Sequence, residues 1–316
     1  MRRFFSADSF WNRPIARDPD IEPDSDRMMG LLAGDTSGGF WLNIKRWTIP
    51  VYEVGSKTPR RAVSLRFAKD PAAHDCVGHG PGFGDDVPIP DDAKPDPEAD
   101  AHLAVVDLHS NLAWDMWGAA RRPDGEWESG TGMVYAIDGS GVFERDLFPV
   151  KDGQSIHRYG PSRASGVPAI AGLIMHHEVA AGRIQHKLAF ACKRNAFKKF
   201  VYPPACWTDG HLDFGIPEGA VIQLDPELDI DGLGLRPDAW AVARALQDFG
   251  AVNVDNGGGN ALYGEGLYGH PGKSWDGLLD EADLLSINVR HFRVLRSGCI
   301  VRMGDVHIRE SGWGRD

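Results

Sequence analysis

Two aspartates in "VVDLHSNLAWDMW", Asp107 and Asp115, flank a turn of hairpin composition, and neighbouring strands would carry them as a carboxyl pair. Two carboxyls roughly 5–10 Å apart can divide acid and base roles in glycosidic-bond cleavage, if their environments push their pKa values apart. The competing reading is that Asp107 caps the turn and Asp115 faces water. His102 and His186 fall on expected strands, where an imidazole lining a cleft serves as acid or base near neutral pH. A hydrogen-bonded core position would instead leave each of them inert.

Other chemistries fit less well. "HHE" at 176–178 lacks the i, i+4 histidine pair of a zinc helix, and adjacent helical positions point about 100° apart. A site assembled from His74, His79 and His102 is the remaining metal option, with solvated loop histidines as its alternative; no metal and no cofactor is expected. Ser165 sits on no GxSxG elbow and reads as a helix cap. "VDNGGGN" lacks the phosphate-loop lysine. Cys76, Cys192, Cys206 and Cys299 form no CxxC pair, so free thiols are expected, with a Cys192–Cys206 disulfide as the alternative in an oxidising compartment.

Charge narrows the partners. A net charge of -11 over 316 residues, with "KRNAFKK" as the one basic cluster, disfavours nucleic acid and anionic membranes. No run approaches the roughly 18–20 apolar residues of a membrane helix. "MRRFFSADSFWNRPI" meets Asp8 and Asn12 before an export-signal core can form, so the chain as written reads as cytoplasmic, or as extracellular if a signal was removed. Ten tryptophans are available. Trp41, Trp47, Trp114, Trp117, Trp127 and Trp207, with Tyr202 and Tyr263, could form platforms for sugar rings or fill the core, and Trp114 and Trp117 must lie on opposite strand faces.

These side chains need a β scaffold. Residues 1–39 read as an arm with a short helix at "SDRMMGLLAG", and 40–316 as one β-rich domain. "HLAVVDLHSNLAWDMWGAARRPDGEWESG" reads as an antiparallel meander, and residues 74–100 as a long Gly/Pro/Asp loop. Helices are expected at about 168–181, in "RPDAWAVARALQDFG" and in "WDGLLDEADLL". "RIQHKLAFAC" reads as a strand that places His186 beside Ile184 and Leu188. Many strands and few helices, without regular strand–helix alternation, point to an antiparallel β-sandwich or jelly-roll-like fold with a few inserted helices.

"FFSADSFWNRPI", "ADAHLAVVD", "ASGVPAIAGLIMHHEVAAGRIQHKLAFA" and "FGAVNVDNGGG" together resemble a largely uncharacterised family of mostly exported bacterial proteins. That family has an SPWN-type start and DxHxxVVD, GLPxLxGLxxxxExxxGxIxHAxxF and YGxxVxDNG blocks. The resemblance runs from about residue 4 to 295 and maps onto Trp11, Asn12, His102, Asp107, Glu178, His186, Asp255 and Asn256. Export of the family members implies an extracellular polymer as target. The resulting expectation is a glycoside hydrolase acting on a poly- or oligosaccharide, with Asp107, Asp115, His102 and His186 as catalytic residues. Trp117, Arg163, Glu178, Tyr202, Asp255 and Asn256 are expected to bind substrate. A polysaccharide lyase using His186, Tyr202, Arg163 and Asn256 is the first alternative, and a non-catalytic glycan-binding or surface protein the second.

Overall fold

The computed structural model describes residues 3–35, 38–67, 77–143, 150–151, 154–155 and 162–303. His74 and Cys76 lie outside these residues, as does the end of the strand-like tail beyond residue 303. Two six-stranded sheets dominate. In the first the order is Trp41–Asn43, Ala261–Tyr263, Leu188–Cys192, Ala251–Asn256, Val221–Leu224, Phe292–Leu295. In the second it is Glu265–Gly266, Ile49–Val54, Leu103–Asp107, Leu112–Trp117, Thr131–Ala136, Gly78–His79. The fold is mainly β with few helices. Each sheet is mixed rather than antiparallel: Leu188–Cys192 runs parallel to Ala251–Asn256, and Ile49–Val54 parallel to Leu103–Asp107. Long connections between these strands permit the parallel pairings, which a tight turn cannot make.

Alternation decides which side chains meet. From the second sheet, Val51, Ala104, Val106, Ala113 and Met133 face inward. They meet Ala189, Ala191, Val221, Val252 and Val254 of the first sheet in one buried cluster. Leu103, Val105, Trp114 and Met116, of opposite parity, pack on the outer side against Val63, Val87, Ile89 and Trp127. On the outer side of the first sheet, Leu188, Phe190, Ile222 and Leu262 pack on helices α1 (Ser25–Ala33) and α3 (Pro237–Asp248). α3 starts on Pro237, whose missing N–H costs nothing in the first turn. The N-terminal arm buries Trp11 to 1% exposure in the inner layer. At roughly 200 Å² of indole and about 25 cal/mol/Å², that burial is worth about 4–5 kcal/mol of transfer free energy.

Alanines 104, 113, 189 and 191 leave space between the sheets, and the segment from Val167 to Met175 fills it. This segment is not the expected helix; helical structure is confined to α2 (His176–Ala180). Its backbone groups bond outward instead of to the next turn: Ala169 N–H to Asp115, and the Pro168 and Ala171 carbonyls to Arg163. Gly172 has φ +70, and a Cβ there would lie 2.7 Å from the Ala189 nitrogen, so only glycine fits. Ser165 accordingly caps no helix; its Oγ donates to the Val254 carbonyl at 2.6 Å. The expected strand over 183–192 begins only at Leu188. The "WDGLLDEADLL" helix is replaced by turns, in which Asp280 and Asp283 side chains accept backbone N–H groups that a helix would use.

Candidate functional site

The parallel strands Leu188–Cys192 and Ala251–Asn256 end together, placing Asp255 opposite Ala191. Beside them, strand Ile216–Glu218 runs parallel to Asn195–Tyr202 with Glu218 opposite Phe200. Two buried amides lock this junction. Asn253 Nδ2 donates to Asn195 Oδ1 at 2.9 Å, and Asn195 Nδ2 donates to the Asp255 carbonyl at 2.9 Å. The loop after Asn195–Tyr202 then brings in Asp209, whose N–H donates to Glu218 Oε2 at 3.2 Å.

The result is a carboxylate cluster. One oxygen each of Asp209, Glu218 and Asp255 lies within 4.8 Å of the others. Glu218 is wholly buried, while Asp209 and Asp255 are half-buried. Asp209 Oδ1 and Glu218 Oε1 are enclosed and have no hydrogen-bond partner among the described residues. Two unit charges at such a spacing repel by about 3–4 kcal/mol at an effective dielectric constant near 20, so three bare carboxylates are not tolerated together. Burial, then repulsion from Asp209 and Asp255, holds the Glu218 carboxyl well above its ordinary range. Burial and repulsion from Asp209 and Asp100 do the same to Asp255, with Arg163 opposing. Asp209 is raised by burial but eased by a hydrogen bond from the Glu218 side chain. All three carboxyls therefore hold their protons more tightly than free acids, with the rise at Asp209 opposed by the Glu218 hydrogen bond.

Aromatic and polar groups surround the cluster. Tyr263 Oη donates to Asp255 Oδ2 at 3.2 Å, and the Asn256 N–H to Asp255 Oδ1 at 3.0 Å. The Arg163 guanidinium, fully buried, sits 4.9 Å from the Tyr263 ring centroid. Asp100 acts electrostatically on both Asp209 and Asp255, and its Oδ1 accepts from Trp117 Nε1 at 3.1 Å. His102 is buried, has an unpartnered Nδ1, and is pushed down by desolvation against the pull of Asp100. Trp117 and Trp207 are half-buried. His102, Trp117, Arg163, Asp255 and Asn256 thus lie around the cluster.

The expected Asp107–Asp115 pair is not formed. The hairpin places Asp107 opposite Leu112 and Asp115 opposite Ala104, so the two side chains leave opposite faces of the sheet. Asp107 caps the turn, accepting the His109 and Ser110 N–H groups at 2.9 and 3.3 Å. Asp115 is completely buried; it accepts from Tyr135 Oη at 2.6 Å and from Ala169 N–H. Burial raises it to about 7 despite both bonds. It anchors the central segment and meets no solvent.

His186 and Glu178 lie at the other end. His186 precedes the strand whose Ala191 faces Asp255, five residues or about 16 Å away along an extended chain. Its Nε2 meets Glu178 Oε2 at 2.9 Å and its Nδ1 the Lys187 carbonyl at 2.8 Å. Tyr202 instead lines a cleft of about 890 Å³ with Lys187, Arg13 and Arg296. Of the histidine metal option, His74 lies outside the described residues, His79 Nε2 pairs with Ser129 Oγ at 3.0 Å, and His102 is sealed in the core. Cys192 and Cys206 are free buried thiols belonging to different core clusters, so no disulfide joins them.

Sequence reasoning missed Asp209, Glu218 and Asp100. "TDGHLDFGIPEG" carries its acids in an aperiodic Gly-rich stretch, and only the pairing of residue 200 with 218 turns Glu218 inward. Compared with protein-family models, with curated proteins and with solved structures, the chain matches none of them.

Proposed function

We propose that the protein hydrolyses glycosidic bonds, with the work done by Asp209, Glu218 and Asp255 rather than by Asp107 and Asp115. The observation that carries this reading is a buried-to-half-buried cluster of three carboxyls in mutual contact, all held above the ordinary carboxyl range. Asp255, whose burial and repulsion from Asp209 favour the protonated form, gives its proton to the glycosidic oxygen. Asp209, kept the more acidic by the Glu218 hydrogen bond, attacks or stabilises the anomeric carbon. Glu218 touches no solvent and acts as a positioning residue. Trp117 and Trp207 are suited to stack on sugar rings. An acidic cluster in an acidic protein repels uronates and sulfates, so the substrate class is a neutral oligo- or polysaccharide. The lyase alternative is less well supported, because His186 and Asn256 stand at opposite ends of the first sheet.

Oxygens under 5 Å apart leave no room for the interposed water of an inverting mechanism, so the anomeric configuration is expected to be retained. The test is a panel of neutral and acidic glycans assayed for new reducing ends, with the product anomer followed by NMR. Asp255→Asn and Asp209→Asn are each expected to lower kcat by about 10²-fold or more. Full activity in both variants, or an unsaturated product, overturns the assignment.

A further inference from the structure

We propose that Asp209, Glu218 and Asp255 form a binding site for a divalent cation of calcium type. Two separate observations meet here. The three carboxyl oxygens converge within 4.8 Å of one another. Glu218, with no exposed surface at all, also has a buried oxygen, Oε1, with no donor among the described residues, as Asp209 has Oδ1, so that only a proton shared between the two carboxyls meets them. Buried polar oxygens are nearly always satisfied, and a carboxylate sealed from water without a donor needs a cation or a proton.

The donor set selects the ion. All three donors are hard carboxylate oxygens without thiol or imidazole, which suits calcium, magnesium or manganese rather than zinc or copper. Oxygens within 4.8 Å of one another can share one hard cation, and calcium, with a flexible shell of oxygen ligands, asks less of the frame than magnesium with its strict octahedron. The frame is rigid: Asp255 and Glu218 stand at strand ends tied by Asn195 and Asn253. Asp209 is pinned to Glu218 through its own N–H. A preformed arrangement spares the ordering cost of gathering three acids around an ion.

Cation binding stands independently of hydrolysis. If the hydrolase reading also holds, a seated cation occupies the carboxyls that exchange protons with substrate, and calcium inhibits; that clause rests on the reading above.

The experiment uses the full chain, stripped with chelator and titrated with calcium chloride, with magnesium chloride as comparison, by calorimetry and thermal melting without glycan. Wild type is expected to bind about one calcium per chain, with a rise in Tm and weaker binding of magnesium. Asp209→Asn is expected to weaken calcium binding by about tenfold or more. Glu218→Gln, a neutral isostere, is expected to fold at least as stably as wild type in chelator and to lose the calcium-induced Tm rise. Absence of any calcium heat or Tm shift in wild type overturns the proposal, as does undiminished calcium binding in both variants. Failure to cleave glycans leaves these readouts unchanged, so the two proposals fail separately.

Discussion

The two ends of the first sheet treat buried acids in opposite ways. At one end Glu178 faces a single partner, His186, at 2.9 Å, and the imidazole's other nitrogen meets a main-chain carbonyl. At the other end Asp209, Glu218 and Asp255 face one another, with two enclosed oxygens unsatisfied. The first sets a carboxylate against an imidazole and holds α2 against the start of strand Leu188–Cys192, although Glu178 Oε1 too has no partner among the described residues. The second sets acid against acid and costs stability in the isolated chain, and such a cost is tolerated where the groups act on something else. An acid facing a basic ring is therefore scaffold here, and acids facing one another are the site.

Breaking the acid–imidazole end has the largest effect on stability. Glu178→Ala leaves a buried His186 nitrogen without its partner and is expected to destabilise the fold by about 3 kcal/mol, read from urea unfolding. Glu178→Gln keeps an acceptor for that nitrogen and is expected to cost only about 1 kcal/mol. If both variants are as stable as wild type, the scaffold half of the comparison is lost.

Relieving the crowded end works in the opposite direction, and pH reveals it. Glu218→Gln removes a buried like charge and is expected to stabilise the chelator-treated protein by about 1–2 kcal/mol at alkaline pH. The sign follows from linkage. Asp115, at about 7 instead of 3.8, and the raised cluster carboxyls all bind protons more tightly in the folded chain. Their contribution is complete below the ordinary carboxyl value and is lost as pH rises through the folded values. For Asp115 that window runs from about 4 to about 7. His186, raised by Glu178 against desolvation, loses its contribution above its ordinary 6.5. His102, pushed down by burial, opposes the trend by favouring the fold above 6.5. On balance Tm is expected to fall between about pH 5 and pH 8, where most proteins are level, and Asp115→Asn should flatten the acid half of that fall. A Tm that rises over this range contradicts the buried-acid assignment.

Element types were legible where one period dominates a segment. The hairpin of Leu103–Asp107 with Leu112–Trp117 and α3 both fall where their patterns put them, whereas the third strand of the expected meander, Trp127–Ser129, pairs with Ala120–Arg121 in another sheet and Thr131–Ala136 takes its place. The segment from Val167 to Met175 was not, because its apolar residues are spaced for a helix while its position between two sheets removes the need for helical bonds. For the site, Asp255 is reached through the family resemblance, Arg163 through the lyase alternative and His102 through its place on an expected strand. Their companions Asp209 and Glu218 are not reached from the sequence, since the residue at 218 meets the residue at 255 only through a register linking strands far apart in the chain. The Asp107–Asp115 error has a simple cause: both acids flank one turn, but an odd offset from the cross-strand partner reverses the face.

The smallest expected effect sharpens the comparison at that hairpin. Asp107 accepts two turn N–H groups and lies off the central layer, so Asp107→Ala is expected to cost about 1 kcal/mol by removing a local cap. It should leave kcat and calcium binding at their wild-type values, with the stability loss read by urea titration and the activity per folded molecule read in parallel. Asp107→Asn, which keeps an oxygen toward His109 and Ser110, should recover most of the loss. A drop in activity beyond the unfolded fraction would return Asp107 to the chemistry and detach the acid–base work from the end of the sheet where Asp255 stands.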